Sequence, residues 1–418
     1  MSTLLIEGGQ RLSGSVAVDG NKNAALPLLA ACLLTEHECV LTNVPRISDV
    51  EVMCRLLLDL GAEVEGIGST TLRVRCPTVT KDEPDGALVG RLRGSVLLLG
   101  PLLARRGRAH LAPPGGDFPA RRTIATHLDA LVAMGARIVP ASGHLLETQD
   151  GLRPTSIYLY EASVTGTETA LLAAAAAPGL TEIRHAACEP HVVELCVFLQ
   201  QLGVGIEGAG TSTIRVEGGA KLRGAEHALW GDYIEAGSWA VVAAVTGGEI
   251  EVSGARAEDM EIVAAVLERM QIACVMDGNV FRVERSQPQA AGRITTGLWP
   301  AFPSDMVSLV TVLATQAEGQ TLVHDWMYEL RLFALEQLSG MAADLFLCDP
   351  HRIIVTGPRK LRGRPLDSRD LRSGMALIAA GLAADGQSRL SPLETVERGY
   401  GLLVERLQGL GAKVAKLP

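Results

Sequence analysis

Aromatic residues are scarce in this chain, at 4% of 418 residues, although 47% of it is hydrophobic. The core must therefore be built from Leu, Val, Ile and Ala. The 8 cysteines are scattered and form no Cys-x-x-Cys pair, and a chain this long needs no disulfide framework, so a reducing, cytoplasmic setting is expected. Long hydrophobic runs are missing too. The longest, "TALLAAAAAPGL", falls short of the roughly 20 residues that cross a bilayer, which argues against a membrane role. No basic N-terminal region with an apolar stretch and cleavage site is present, which argues against secretion. Positive charge is not in excess: the net charge of −9 argues against nucleic acid as the main partner, while leaving room for a local positive cleft around a small phosphorylated substrate. Neither G-x-x-x-x-G-K-[ST] nor a strand-bound G-x-G-x-x-G occurs, so no P-loop or dinucleotide site is indicated.

What the chain does have is a repeat. The segments "LLLDLGAEV", "DALVAMGARI", "VFLQQLGVGI", "AVLERMQIACV", "EQLSGMAADL" and "ERLQGLGAKV" each read as the end of an amphipathic helix, a turn residue, then an extended apolar run. With pivots at Gly61, Gly135, Gly203, Gln271, Gly340 and Gly411, the intervals are 74, 68, 68, 69 and 71 residues. A second helix recurs with a similar period, at Ala24–Leu34, Ser95–Ala104, Thr169–Ala177, Ala236–Val245, Met306–Ala314 and Ser373–Leu382. These helices are apolar nearly all round, which predicts burial on every face. Strand-like pieces such as "TLLIEG", "TLRVRC" and "STIRVEG" fill the gaps. The pattern predicts an α/β protein of six units, three per domain, with buried helices inside and sheets around them.

Several residues could carry chemistry. Lys22 and Asn23 in "VDGNKNAALPLLAA" fall at the start of a buried helix, where backbone N–H groups and the helix dipole favour anions; a solvated Lys-Asn start reads equally well on that stretch alone. Arg93, Arg122, Arg331, Arg372 and Arg398 are candidates to converge on a polyanion, and Arg93, Arg331, Arg372 and Arg398 lie next to or at the start of buried helices. Asp305 in "PAFPSDMVSL" reads on pattern as a helix cap, with general base as the sharper alternative. The cluster "HAACEPH" (His185, Cys188, Glu189, His191) fits no familiar zinc spacing, and a crowded strand-to-helix turn explains it better. "LAPPGGDFPARR" sets a single acid, Asp117, on a Pro- and Gly-rich turn just before Arg121 and Arg122.

Together, "GSVAVDGNKNAALPLLAACLL", "NVPRISDV", "LLGPLLAR", "PPGGDFPARR", "EPHVVE", "PAFPSDM", "DLR" and "ERGYG" resemble, in matching order along the whole chain, the bacterial UDP-N-acetylglucosamine enolpyruvyl transferases (1-carboxyvinyltransferases). The resemblance implies two domains, each an inside-out α/β barrel of three repeats: 22–229 with the Asp117 loop, and 1–21 plus 230–418. It implies transfer of the enolpyruvyl group of phosphoenolpyruvate to the 3-hydroxyl of UDP-N-acetylglucosamine with release of phosphate, the first step of peptidoglycan precursor synthesis, with no metal or organic cofactor. By resemblance, Lys22, Arg122 and Arg398 hold the phosphate, Arg331 and Arg372 the carboxylate; Asn23 and Arg93 place the acceptor, and Asp305 is the base at its hydroxyl. Ser163 and Val164 survive from a segment that meets the diphosphate. Asp49 and Glu189 match acidic positions without an assigned role. Asp117 stands where the commonest members carry a cysteine that donates a proton at C3, which implies insensitivity to fosfomycin, an alkylator of that thiolate.

The chain departs from the family pattern on the acceptor side. After Arg122 it reads "RTIATH", keeping His127 but with Ala125 at the expected Asp; Glu161 in "EASVTG" replaces a lysine; Trp299 and Leu330 replace His and Asn. A carboxylate close to a diphosphate is unfavourable. Two alternatives therefore stand beside the main reading: a paralogue acting on another uridine nucleotide such as UMP in nucleoside antibiotic biosynthesis, and a non-catalytic nucleotide-binding paralogue.

Overall fold

The computed structural model describes residues 2–115, 123–328 and 331–418. The chain divides into two compact units, Gly20–Trp230 and a second made of Met1–Asp19 with Gly231–Pro418. Each has a core of its own.

The helices that are apolar all round are the innermost elements. In the discontinuous unit, the helices Tyr233–Val245, Val307–Gln316 and Leu371–Ala383 pack against one another, and every residue of the first is buried. Small residues allow this approach: a Cβ on Gly237 would lie 2.4 Å from the Met306 Cε. In the Gly20–Trp230 unit the equivalent helices are Lys22–Ala31, Leu99–Arg106 and Val164–Ala176. Several begin at a residue that accepts free N–H groups of the first turn, as the dipole and the unpaired donors there require. Asn21 accepts from Asn23 N–H, Ser163 from Gly166 N–H, Asp232 from Ile234 and Glu235 N–H, and Asp370 from Arg372 and Ser373 N–H.

Among the described residues, sheets surround these helices, three per unit. Five of the six share one pairing scheme, a parallel pair extended by two antiparallel strands. Glu226–Ala228 runs parallel to Cys39–Thr42, which pairs antiparallel with Thr71–Arg75 and that in turn with Glu63–Glu65. Ser13–Ala17 with Glu249–Ser253, and Gly292–Thr295 with Gly319–His324, begin two sheets of the other unit in the same way. Parallel strands need a long crossover, and where the pair is consecutive in the chain it carries the buried helix. Val164–Ala176 joins Ser156–Tyr158 to Gly179–Arg184, and Val307–Gln316 joins Gly292–Thr295 to Gly319–His324, with the amphipathic helix following as the second helix of the repeat.

Those second helices end where the repeat was read, with one correction. Left-handed backbone follows each of them at Gly61 (φ 99°), Gly135 (97°), Gly203 (110°), Gln271 (57°) and Gly411 (88°). In the fifth repeat the turn residue is not Gly340, which still belongs to the helix Glu336–Gly340; it is Ala342, with φ 71°. The intervals around it become 71 and 69 residues. The glycine two positions upstream masked an alanine held in a conformation that glycine prefers.

Candidate active site

In the Gly20–Trp230 unit, Lys22 is the first residue of its helix, and Asn21 fixes the turn by accepting from Asn23 N–H at 2.8 Å. The Lys22 Nζ lies 2.7 Å from Asp49 Oδ2, and both side chains are largely buried. Asp49 sits in the first turn of the helix Ser48–Asp59. A buried ammonium at a helix N-terminus needs such a partner, so Asp49 acquires a role: it holds Lys22 in place.

Arg93 opens the 3-10 turn Arg93–Leu98 and donates to the carbonyl of Thr123 at 2.9 Å. Close by, His127 is buried and its Nε2 meets Thr165 Oγ1 at 2.8 Å. Burial first, and then the charge of Arg93, push its pKa down to about 4, so the ring is neutral at pH 7. Ser163 caps the helix Val164–Ala176, with Val164 its first residue. Glu161, two residues earlier, accepts from Thr126 Oγ1 at 3.1 Å. One turn into that helix Glu168 is buried, and burial followed by the charge of Glu189 raises its pKa well above the ordinary carboxyl range.

In the discontinuous unit the site is built around Asp305. It is not a helix cap: the turn Ser304–Met306 and the helix Val307–Gln316 both begin without a side-chain cap. The carboxylate is drawn instead to two arginines. Asp305 Oδ1 accepts from Arg331 NH1 at 3.1 Å, and Oδ2 from Arg372 Nε at 3.0 Å and NH2 at 2.9 Å. Arg331 lies over the Tyr328 ring, 4.6 Å from its centroid. Arg372 is buried and donates to Tyr400 OH at 3.3 Å, which is 2.8 Å from Ser238 Oγ. Burial alone works against the Arg372 charge; Asp305, Tyr400 and Asp232 outweigh it and hold the guanidinium above its usual range. Behind Arg331, Ser304 Oγ accepts from NH1 at 2.8 Å and donates to Asp325 Oδ2 at 2.7 Å. Arg398 closes the short helix Glu394–Glu397 and is half-buried.

The structure thus brings Asp305, Arg331 and Arg372 into one cluster, and Lys22 to Asp49. Ser163, Val164, Arg93 and His127 belong to a second polar region of the Gly20–Trp230 unit. Asp117, Arg122 and Leu330 lie outside the described residues. Trp299 packs edge-to-face on Tyr233, with centroids 5.4 Å apart. In the "HAACEPH" turn, His185 stacks on Tyr158 and its Nδ1 meets the Leu159 carbonyl at 3.0 Å, and among the described residues no group of three or more His, Cys, Asp and Glu is placed to hold a metal. Ser304, Asp325, Tyr400 and Glu168 were not singled out from sequence. Tyr400 lies inside "ERGYG" and Ser304 next to Asp305, but Asp325 follows a strand in "VHDWM" with no pattern to mark it.

The family model for EPSP synthase (3-phosphoshikimate 1-carboxyvinyltransferase) matches residues 6–407. The UDP-N-acetylglucosamine 1-carboxyvinyltransferase of Bradyrhizobium diazoefficiens is 42% identical over 99% of this chain and 98% of its own length. The chain belongs to the enolpyruvyl transferase family. The enzyme of the same name from Treponema denticola is 40% identical over 99% of both chains. Among solved structures, the enolpyruvyl transferase NikO from Streptomyces tendae superposes with a TM-score of 0.88, at 26% identity over 100% of this chain and 99% of its own. EPSP synthase from Acinetobacter baumannii shares the fold at a TM-score of 0.77 and 19% identity, over the full length of both chains. The six-unit α/β architecture is therefore the enolpyruvyl transferase fold. An enolpyruvyl transferase with this cluster has a carboxylate that can take a proton, flanked by two planar guanidinium groups suited to a second carboxylate.

Proposed function

We propose that the chain transfers the enolpyruvyl group of phosphoenolpyruvate to the 3-hydroxyl of UDP-N-acetylglucosamine. The observation that carries this reading is Asp305 held between Arg331 and Arg372. In the free protein Asp305 occupies hydrogen bonds that a substrate carboxylate would take. When phosphoenolpyruvate binds Arg331 and Arg372, its carboxylate competes for those donors and releases an Asp305 oxygen to receive the acceptor's hydroxyl proton. The acceptor oxygen then bonds to C2 while C3 gains a proton from Asp117. Loss of phosphate and of one C3 proton from the tetrahedral intermediate completes the transfer. Lys22, Arg122 and Arg398 take the phosphate, and Asn23, Arg93, Ser163 and Val164 place the nucleotide. The steps need an acid, a base and cations, and no metal or organic cofactor.

Glu161 accepts from Thr126 Oγ1, which fixes the carboxylate but leaves its charge, so the acceptor itself has to be tested. Phosphate release from phosphoenolpyruvate, measured with UDP-N-acetylglucosamine and separately with UMP and other uridine nucleotides, tests the assignment. Turnover confined to UMP would replace it with a paralogous transferase, and no turnover with any acceptor would leave a binding protein. The enzyme is also proposed to resist fosfomycin, since the Asp117 carboxylate is a poor nucleophile for the epoxide. Time-dependent inactivation with an adduct on Asp117 would refute that.

A further inference from the structure

Asp325 is completely buried, yet it touches none of the groups assigned to substrate. It follows the strand Gly319–His324, and its backbone is tied to His351: its N–H donates to the His351 carbonyl at 2.8 Å, and its own carbonyl meets His351 Nδ1 at 2.6 Å. Its side chain is fully engaged. Oδ1 accepts from Thr296 Oγ1 at 2.7 Å and Met327 N–H at 3.3 Å, and Oδ2 from Ser304 Oγ at 2.7 Å. A serine hydroxyl has one proton, and here Asp325 takes it. The Ser304 oxygen is left as an acceptor and receives Arg331 NH1 at 2.8 Å. The same nitrogen donates its other proton to Asp305 at 3.1 Å, so Ser304 holds one proton of NH1 while the other is the one a substrate carboxylate would win from Asp305. The rest of the planar fork, stacked on Tyr328, turns with it.

We propose that Asp325 is a positioning residue for Arg331, acting through Ser304: by drawing the hydroxyl proton to itself it turns the Ser304 oxygen toward NH1 and sets the angle of the guanidinium. Without that pull the hydroxyl can point its proton at the arginine, donor against donor, and the fork loses its orientation. This inference rests on the proposed assignment of Arg331 to the carboxylate of phosphoenolpyruvate.

The test compares wild type with Asp325→Asn, Ser304→Ala, Ser304→Thr and the double variant Asp325→Asn/Ser304→Ala in full-length protein. KM for phosphoenolpyruvate, KM for the nucleotide and kcat are measured, with folding checked by circular dichroism. An amide at 325 can donate to Ser304 and reverse its polarity. Asp325→Asn and Ser304→Ala should each raise KM for phosphoenolpyruvate about tenfold, the loss of one oriented hydrogen bond. KM for the nucleotide should stay within twofold, and Ser304→Thr, which keeps the hydroxyl, should restore the wild-type value. Because both changes break one chain of contacts, the double variant should be no worse than Ser304→Ala alone. Unchanged KM for phosphoenolpyruvate in either single variant, or multiplying effects in the double, would overturn the inference. If Asp325→Asn does not fold, the Ser304→Ala and Ser304→Thr pair decides. A wild-type protein that turns over while the variants match it refutes only the inference; a wild type that neither binds nor turns over phosphoenolpyruvate refutes the functional reading with it.

Discussion

Replacing Asp305 with asparagine separates a catalytic carboxylate from a structural one. In the wild type, three guanidinium N–H groups converge on its two oxygens, one from Arg331 and two from Arg372. An amide has a single acceptor oxygen, and its NH2 cannot face an arginine. The better orientation turns the oxygen toward Arg372, keeps two contacts in weaker, uncharged form and abandons the one to Arg331. Charge-assisted hydrogen bonds contribute about 1.5–3 kcal/mol each. Asp305 is 29% exposed, so solvent moderates the loss and a destabilisation of about 1–2 kcal/mol is expected. That corresponds to a fall in Tm of about 2–8 °C. The kinetic consequence should be larger. Loss of the base should lower kcat by about 10²–10⁴-fold. KM for phosphoenolpyruvate should not rise, because the two guanidinium groups no longer have an internal anion to compete with the substrate. The assay is steady-state phosphate release with both substrates varied, beside calorimetric Tm. A variant with kcat within threefold of wild type and a raised KM would show that Asp305 only braces the arginines, and would refute its role as base.

Three further expectations follow from individual residues. Ala342→Gly and Gln271→Gly should each stabilise the protein by about 0.5–1 kcal/mol, because relief of about 1–2 kcal/mol of left-handed strain exceeds the added freedom of the unfolded chain; Gly203→Ala, where a Cβ would meet nothing within 4 Å, should do the reverse, read by thermal melts. Glu168 has a folded-state pKa raised by burial, so the native protein keeps a proton that the unfolded chain releases; stability should fall as pH rises from about 4.5 through the folded-state pKa, and Glu168→Gln should flatten that part of the denaturation-versus-pH curve. Asp117→Cys should create fosfomycin sensitivity, seen as time-dependent inactivation and a mass shift on that cysteine; a variant that stays insensitive while active would contradict the account of the loop position.

The architecture was legible because two periodicities are written into the chain. The helices apolar on all sides mark the interior, and the turn residue after each amphipathic helix, a glycine at Gly61, Gly135, Gly203 and Gly411, marks the repeat. The reading slipped once, where tertiary packing overrides local preference: Ala342 adopts left-handed backbone without being glycine, and Gly340, two residues upstream, supplied a decoy, whereas Gln271, also not a glycine, lies at the turn where the repeat places it. At the site, the charged residues were visible individually but their partnerships were not. On pattern Asp305 looks like a helix cap, because nothing local reveals that Arg331 and Arg372 arrive from 26 and 67 residues away. Asp325 and Glu168 carry no motif at all. Their significance lies in burial, and burial of a lone acid in "VHDWM" or in the Ala-rich "ETALLAAAA" is settled by packing between distant segments.

The central claim is the transfer itself. Phosphoenolpyruvate labelled with ¹³C at C2 and C3, incubated with the protein and UDP-N-acetylglucosamine and followed by NMR, should give one enol ether at the sugar 3-oxygen for each phosphate released. Label remaining in phosphoenolpyruvate with this acceptor, or passing to a smaller uridine nucleotide instead, would contradict the account.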